Sequence, residues 1–184
     1  MEPIDQYEQD IHHEITKVIP DEDIKQEAKE VFSDFIAQET AWSRPREHFA
    51  IASVYFVVRK NNLPYTIRDF TDEEPNKINS AFRRMCSDLE TVPPPQDPPV
   101  FVDRIHNNLS QVDERVATRA KEILSQTSPE VKSGKQPNTL AASAYYIAAN
   151  REGVKITQDL IANASNVSNA TIRNCYQEIV KDIA

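Results

Sequence analysis

The sequence predicts an all-α protein built from two tandem repeats of about five helices each, the second ending in a helix-turn-helix. Three observations lead there. Apolar residues recur at the spacing of a helix face, as in Ile24, Ala28, Val31, Phe32 and Phe35. Groups of residues return about 90 positions later in the chain. Only 2 of the 184 residues are glycine, which leaves few sites for the tight turns that sheet hairpins need.

The repeat is legible in pairs. Ala50, Tyr55, Phe56, Thr66 and Phe70 align with Ala141, Tyr146, Ile147, Thr157 and Ile161 at a spacing of 91. Ala28-Lys29-Glu30-Val31 returns as Ala120-Lys121-Glu122-Ile123 at 92, and Ile15 and Ile19 return as Ile105 and Leu109 at 90. One frame that drifts by a residue or so through loops is what a duplicated domain leaves, not a short-period solenoid. The expected domains are residues 1–92, a Pro-rich linker at 93–99, and residues 100–184 with the helix-turn-helix. In the linker, Pro93-Pro94-Pro95-Gln96-Asp97-Pro98-Pro99 is expected to be extended and stiff, because proline lacks the amide hydrogen and clashes with a preceding helical turn.

Within each repeat an amphipathic helix precedes a more uniformly apolar one. Val116, Ala120, Ile123 and Leu124 form the stripe of the second repeat. Phe49 to Val58 and Leu140 to Ala149 are nearly all apolar, which places them at the centre of each bundle. The alanines Ala141, Ala142, Ala144, Ala148 and Ala149 let neighbouring helices approach closely.

From Gln158 to Cys175, Ile161, Val167, Ile172 and Cys175 fall where two short helices would bury them against each other across a tight turn. Thr157 and Ser168 suit the N-caps. Asn166 stands where the turn needs left-handed backbone angles, which Gly tolerates best and Asn next best. The outer face of the second helix then carries Asn169, Ala170, Arg173 and Asn174. Arg suits guanine, Asn suits adenine and Ala suits the thymine methyl, so this face could read a major groove.

Composition bounds the alternatives. The chain is 39% hydrophobic and 27% charged, with a formal net charge of −8. No apolar run approaches the length of a membrane span, the acidic N-terminus does not suit a signal peptide, and a cytoplasmic protein is expected. Cys86 and Cys175 are expected to be buried free thiols at similar late positions in the two copies. No Gly-rich phosphate loop or catalytic spacing is present, so no enzyme, cofactor or metal is expected. A net negative charge runs against phosphate binding, yet local basic patches decide contact energies. Arg44 and Arg46, Arg59 and Lys60, Arg83 and Arg84, and Lys132 and Lys135 form such pairs. An acidic, highly hydrated surface also suits a salt-rich cytoplasm, where Coulomb attraction is screened over short distances.

The Ala-rich helix with Tyr146, then Thr157-Gln158, then Val167-Ser168-Asn169-Ala170-Thr171-Ile172-Arg173 resembles the core of archaeal transcription initiation factor B, the relative of eukaryotic factor IIB. The first copy is similar at Ala50-Ile51-Ala52-Ser53-Val54-Tyr55 and at Arg59 with Leu63-Pro64-Tyr65-Thr66. The resemblance runs from about Ile11 onward. It implies two cyclin-like repeats that clasp TATA-binding protein on bent promoter DNA, with the second repeat reading the element upstream of the TATA box. It further implies base contacts at Ala170, Thr171 and Arg173, with Gln158 and Ser168 near phosphates. The first repeat's Arg44, Arg46, Arg59, Arg68, Arg83 and Arg84 would meet TATA-binding protein or phosphates, and RNA polymerase would be a further partner in an archaeal, nucleoid-associated setting. The family's zinc ribbon has no counterpart, since His12 and His13 are adjacent with no cysteine near them. The chain is then either the core of a longer factor or a short regulatory form. The alternative function is a cyclin-like protein–protein adaptor that does not bind DNA.

Three substitutions at expected family positions stand out. Ala170 is smaller than the usual valine, Asn166 replaces glycine, and Cys175 replaces a basic residue, which weakens phosphate contact.

Overall fold

Prolines and capping residues mark where the helices begin. In this computed structural model, Asp21 and Asp113 each precede a helix. The Asp21 Oδ1 accepts the Asp23 backbone N–H at 2.9 Å, and the Asp113 Oδ1 accepts that of Arg115 at 2.9 Å. These caps satisfy amide donors that the first helical turn leaves open. The structure describes Gln9, His13, Val18, Ile19 and residues 21–38, 46–109 and 111–184, the side chains of Gln38 and Arg46 excepted.

The chain divides into two compact units, Met1–Pro95 and Gln96–Ala184. In the first, α1 (Glu22–Gln38), α2 (Arg46–Lys60) and α3 (Pro75–Asp88) are joined through a 3-10 turn, Ile67–Asp69. In the second, α4 (Pro98–Asn108), α5 (Glu114–Gln126), a single turn α6 (Pro129–Lys132), α7 (Pro137–Arg151), α8 (Gln158–Ser165) and α9 (Asn169–Asp182) follow. All regular structure among the described residues is helical.

α7 is the centre of the second unit and packs against α4, α5, α8 and α9. Its alanines at 141, 142, 144, 148 and 149 are all fully buried, and only side chains that small allow neighbours on so many sides. Tyr145 is the large exception. Its hydroxyl lies 2.9 Å from His106 Nδ1, and His106 Nε2 lies 2.8 Å from Glu114. Burial, with the Glu114 carboxylate adding to it, pushes the Tyr145 hydroxyl up to about 12, so it stays a neutral phenol. In the first unit α2 occupies the matching place, packed against α1 and α3.

Local geometry recurs with the sequence spacing. Asn62 (φ 52°) and Gly153 (φ 69°) both turn left-handed just after a central helix. Leu63 N–H donates to the Val58 carbonyl and Val154 N–H to that of Ala149, each at 2.9 Å, the bond that closes a helix end through a left-handed residue. The Tyr55–Phe82 rings lie 5.3 Å apart and the Tyr146–Tyr176 rings 5.6 Å apart.

Three sequence expectations need correction. First, Pro98 and Pro99 are not in an extended run but in the first turn of α4, where proline's missing N–H costs nothing and its fixed φ suits a helix. The preceding prolines are held by the first unit: the Arg59 guanidinium donates to the Pro93 carbonyl at 2.6 Å and to that of Pro94 at 3.1 Å. Second, the stretch after Thr66 does not repeat the helix after Thr157. The spacing of 91 that joins Tyr55 to Tyr146 becomes 94 between the stacked rings of Phe82 and Tyr176. Three residues are lacking, too few are left for a full helix, and a 3-10 turn stands in place of α8. Third, Cys175 therefore answers to Ala81 rather than to Cys86. Both thiols are buried, and burial raises the pKa of each, which makes them poor nucleophiles.

Ser128, the N-cap of α6, ties the middle of the second unit's helical run to the end of α9. Its backbone N–H and its hydroxyl both donate to the Asp182 carboxylate, at 2.7 Å each. These bonds hold Asp182 below the usual carboxylate range. A depressed folded pKa stabilises the fold at pH values above the unfolded carboxylate pKa, and the contribution is lost as pH falls through the folded value. Asp182→Asn is therefore expected to lower the melting temperature near neutral pH, with the difference from the parent closing as pH falls below the ordinary carboxylate range. Thermal melts across that range check it.

Candidate nucleic-acid interface

α8 and α9 are separated by Asn166, Val167 and Ser168, and each residue of that connection has a separate task. Thr157 caps α8 by accepting the Leu160 N–H at 3.3 Å, and Ser168 caps α9 by accepting the Thr171 N–H at 3.1 Å. Asn166 is left-handed, with φ 55° and ψ 38°. Val167 is buried and anchors the turn. Left-handed angles strain any residue with a Cβ, so Asn166→Gly is expected to stabilise the protein by about 0.5 kcal/mol, the relief exceeding glycine's extra unfolded-state entropy. Chemical denaturation reads this directly.

The pair is braced from behind. Ile161, Ile172 and Ile179 are fully buried and Cys175 nearly so. The carbonyls at the C-terminal end of α8 are not left open: Asn108 Nδ2 donates to Ala164 O at 3.3 Å, and Asn138 Nδ2 donates to Ser165 O at 3.2 Å. Ser143 Oγ donates to Ile172 O at 3.3 Å, and Tyr176 stacks on Tyr146. α4 and α7 thus fix the orientation of α8 and α9. Asn108 and Asn138 escape sequence reading, since their partners lie 56 and 27 positions away.

Ser168, Ala170, Thr171, Arg173 and Asn174 are exposed, and Gln158 and Asn169 are half-buried. Arg173 makes no ion pair among the described residues. Ser168 Oγ and Thr171 Oγ1 lie 2.8 Å apart and satisfy each other. Asn169 differs from its neighbours: its Nδ2 donates to Asp159 Oδ1, and its own Oδ1 is buried without a partner.

The basic residues of the first unit are dispersed in role. The Arg59 guanidinium lies 5.0 Å from the Phe82 ring centre and 5.9 Å from that of Tyr55, besides holding the proline carbonyls. It serves the unit's own packing. Arg84 pairs with Asp88 at 2.6 Å. Arg68 and Arg83 are exposed, and Arg68 borders a shallow depression whose other lining residues include Asp69, Asp72, Glu73 and Glu74. Arg44 and the side chain of Arg46 lie outside the described residues.

Charge is divided unevenly. Of the 21 Lys and Arg and 29 Asp and Glu, 11 basic and 19 acidic residues fall in the first unit, and 10 of each in the second. The whole net charge of −8 is therefore carried by the first unit, while the second is neutral and presents Arg173 on an open face.

Comparison with known proteins identifies the class. Residues 92–182 match the family model of the transcription factor TFIIB repeat. A transcription initiation factor IIB 2 of Thermoplasma acidophilum is 32% identical over 163 residues, spanning 86% of this chain and 53% of that protein. One of Thermococcus kodakarensis is 32% identical over 164 residues, 87% of this chain and 53% of its own. A transcription initiation factor IIB 3 of Halobacterium salinarum is 28% identical over 162 residues, 86% and 51% respectively. The chain belongs to the TFIIB-repeat family, and its all-helical architecture is the one expected of cyclin-like repeats. It spans about half the length of the curated relatives it matches. No described helix is long and apolar enough to cross a membrane.

Proposed function

We propose that the chain acts in transcription initiation, with its two units as two cyclin-like repeats that engage TATA-binding protein on promoter DNA. The second unit reads the element upstream of the TATA box by laying α9 in the major groove as the recognition helix of a helix-turn-helix. The observation that carries this is the exposed face of Ala170, Thr171, Arg173 and Asn174 on a capped helix whose other side is locked into the core. Arg173 offers a fork for guanine O6 and N7, Asn174 a bidentate partner for adenine, and Ala170 a methyl contact for thymine. Gln158 and Ser168 stand at the first turns of α8 and α9, where backbone phosphates pass.

The neutral second unit and acidic first unit supply little unspecific attraction for duplex. Affinity then depends on the partner already seated on the promoter, with the first unit's exposed Arg68 and Arg83, which make no ion pair among the described residues, available for that contact. A gel-shift titration of TATA-box duplex tests the reading. A supershift that requires TATA-binding protein is expected; absence of any shift with the partner present overturns it.

A further inference from the structure

Asn169 and Asp159 do not fit the pattern of a plain reading face. In a helix-turn-helix the recognition helix puts its N-terminal residues to the base edges while the preceding helix crosses the backbone. Asp159, in the first turn of α8, is exposed and is bonded to Asn169, the first residue of α9. It therefore stands where phosphates pass, with a charge of the same sign as theirs. Bidentate recognition of adenine needs both polar atoms of an asparagine. Asn169 has neither to offer: Nδ2 is committed to Asp159, and Oδ1 is shielded from solvent.

We infer that Asp159 is an affinity-limiting residue of this interface, which keeps docking without matching base contacts too weak to persist, and that Asn169 is a positioning residue that holds it in place and not a reader of bases. This rests on the DNA-reading function proposed above. The carboxylate penalises any docking driven by phosphate attraction alone, because every sequence presents the same phosphates. Docking on the correct element offsets the penalty through base contacts from Arg173 and its neighbours, which a wrong sequence cannot supply. The hydrogen bond from Asn169 stops the carboxylate from swinging away and ties the first turn of α8 to the start of α9.

The test uses the full chain with TATA-binding protein and two duplexes. One bears the upstream sequence that the parent chain selects from a randomised pool beside a TATA box, and the other bears that segment scrambled. Asp159→Asn keeps the size and an acceptor for Asn169, and is expected to raise affinity for both duplexes by a similar factor, roughly three- to tenfold at low salt. The ratio of the two affinities is kept, and the gain on both duplexes shrinks as salt rises. Asn169→Ala is expected to raise both affinities by a smaller factor and to leave their ratio unchanged. Arg173→Ala, run alongside, separates the two ideas. If Arg173→Ala weakens the selected duplex while Asp159→Asn leaves both affinities and their salt dependence unchanged, the inference fails and the reading stands. If Arg173→Ala affects neither duplex, the reading fails and the inference falls with it.

Discussion

Arg173→Ala is expected to weaken binding to the preferred promoter by about 1 to 3 kcal/mol and to relax selectivity at one base position, leaving the fold intact. The side chain is exposed, forms no ion pair among the described residues and sits mid-helix in α9, where Ala is at least as good a helix former. The loss therefore has one source, the guanidinium fork that a guanine edge would accept. Selection from a randomised upstream segment, with parent and variant side by side, gives both affinity and base preference. A protein-only adaptor would show no change in either, so an unaltered profile rejects direct readout. Arg173→Lys makes the sharper control. It keeps the charge and loses the planar two-donor geometry, and so recovers phosphate attraction without base discrimination.

Ile172→Ala acts from the opposite side of the same helix and is expected to cost about 2 to 5 kcal/mol of stability. Ile172 is fully buried in the second unit's core, and its carbonyl accepts from Ser143 on α7. Removing three carbons opens a cavity that the close-packed core around it does not fill by relaxing. Denaturant titration measures the loss directly. A change below about 1 kcal/mol would mean that α9 is not held against α7 as described. Ile172 and Arg173, adjacent on one helix, face the core and the solvent respectively.

Much of this was legible from residue chemistry alone. The central helices follow from apolar runs too long for one amphipathic face, and the caps at Thr157 and Ser168 follow from hydroxyl groups just ahead of helical patterns. The left-handed turn at Asn166 follows from the small menu of residues that tolerate it. What escaped depends on the third dimension. Arg59 reads as a surface cation until the chain brings the Pro93 and Pro94 carbonyls back to it across more than thirty positions. Asn169 reads as a base contact until Asp159, ten residues earlier, is seen to occupy its amide. Pro98 and Pro99 read as breakers because their effect depends on whether a helix starts or continues there. The frame shift from 91 to 94 was hidden because a residue-by-residue match ends at Phe70, before the missing three positions are felt.

That shortfall bears on how the two halves diverged. On either side of it the landmarks are kept: a threonine ahead of the segment, and one aromatic pair bridging central and final helices at almost the same separation. The stretch between them behaves as a cassette, exchangeable without disturbing the body that carries it. One half carries a 3-10 turn and the acidic excess, while the other carries a full helix and no net charge. Replacing residues 67–77 with 158–171 is accordingly expected to leave the first unit folded, with a full helix in place of its 3-10 turn.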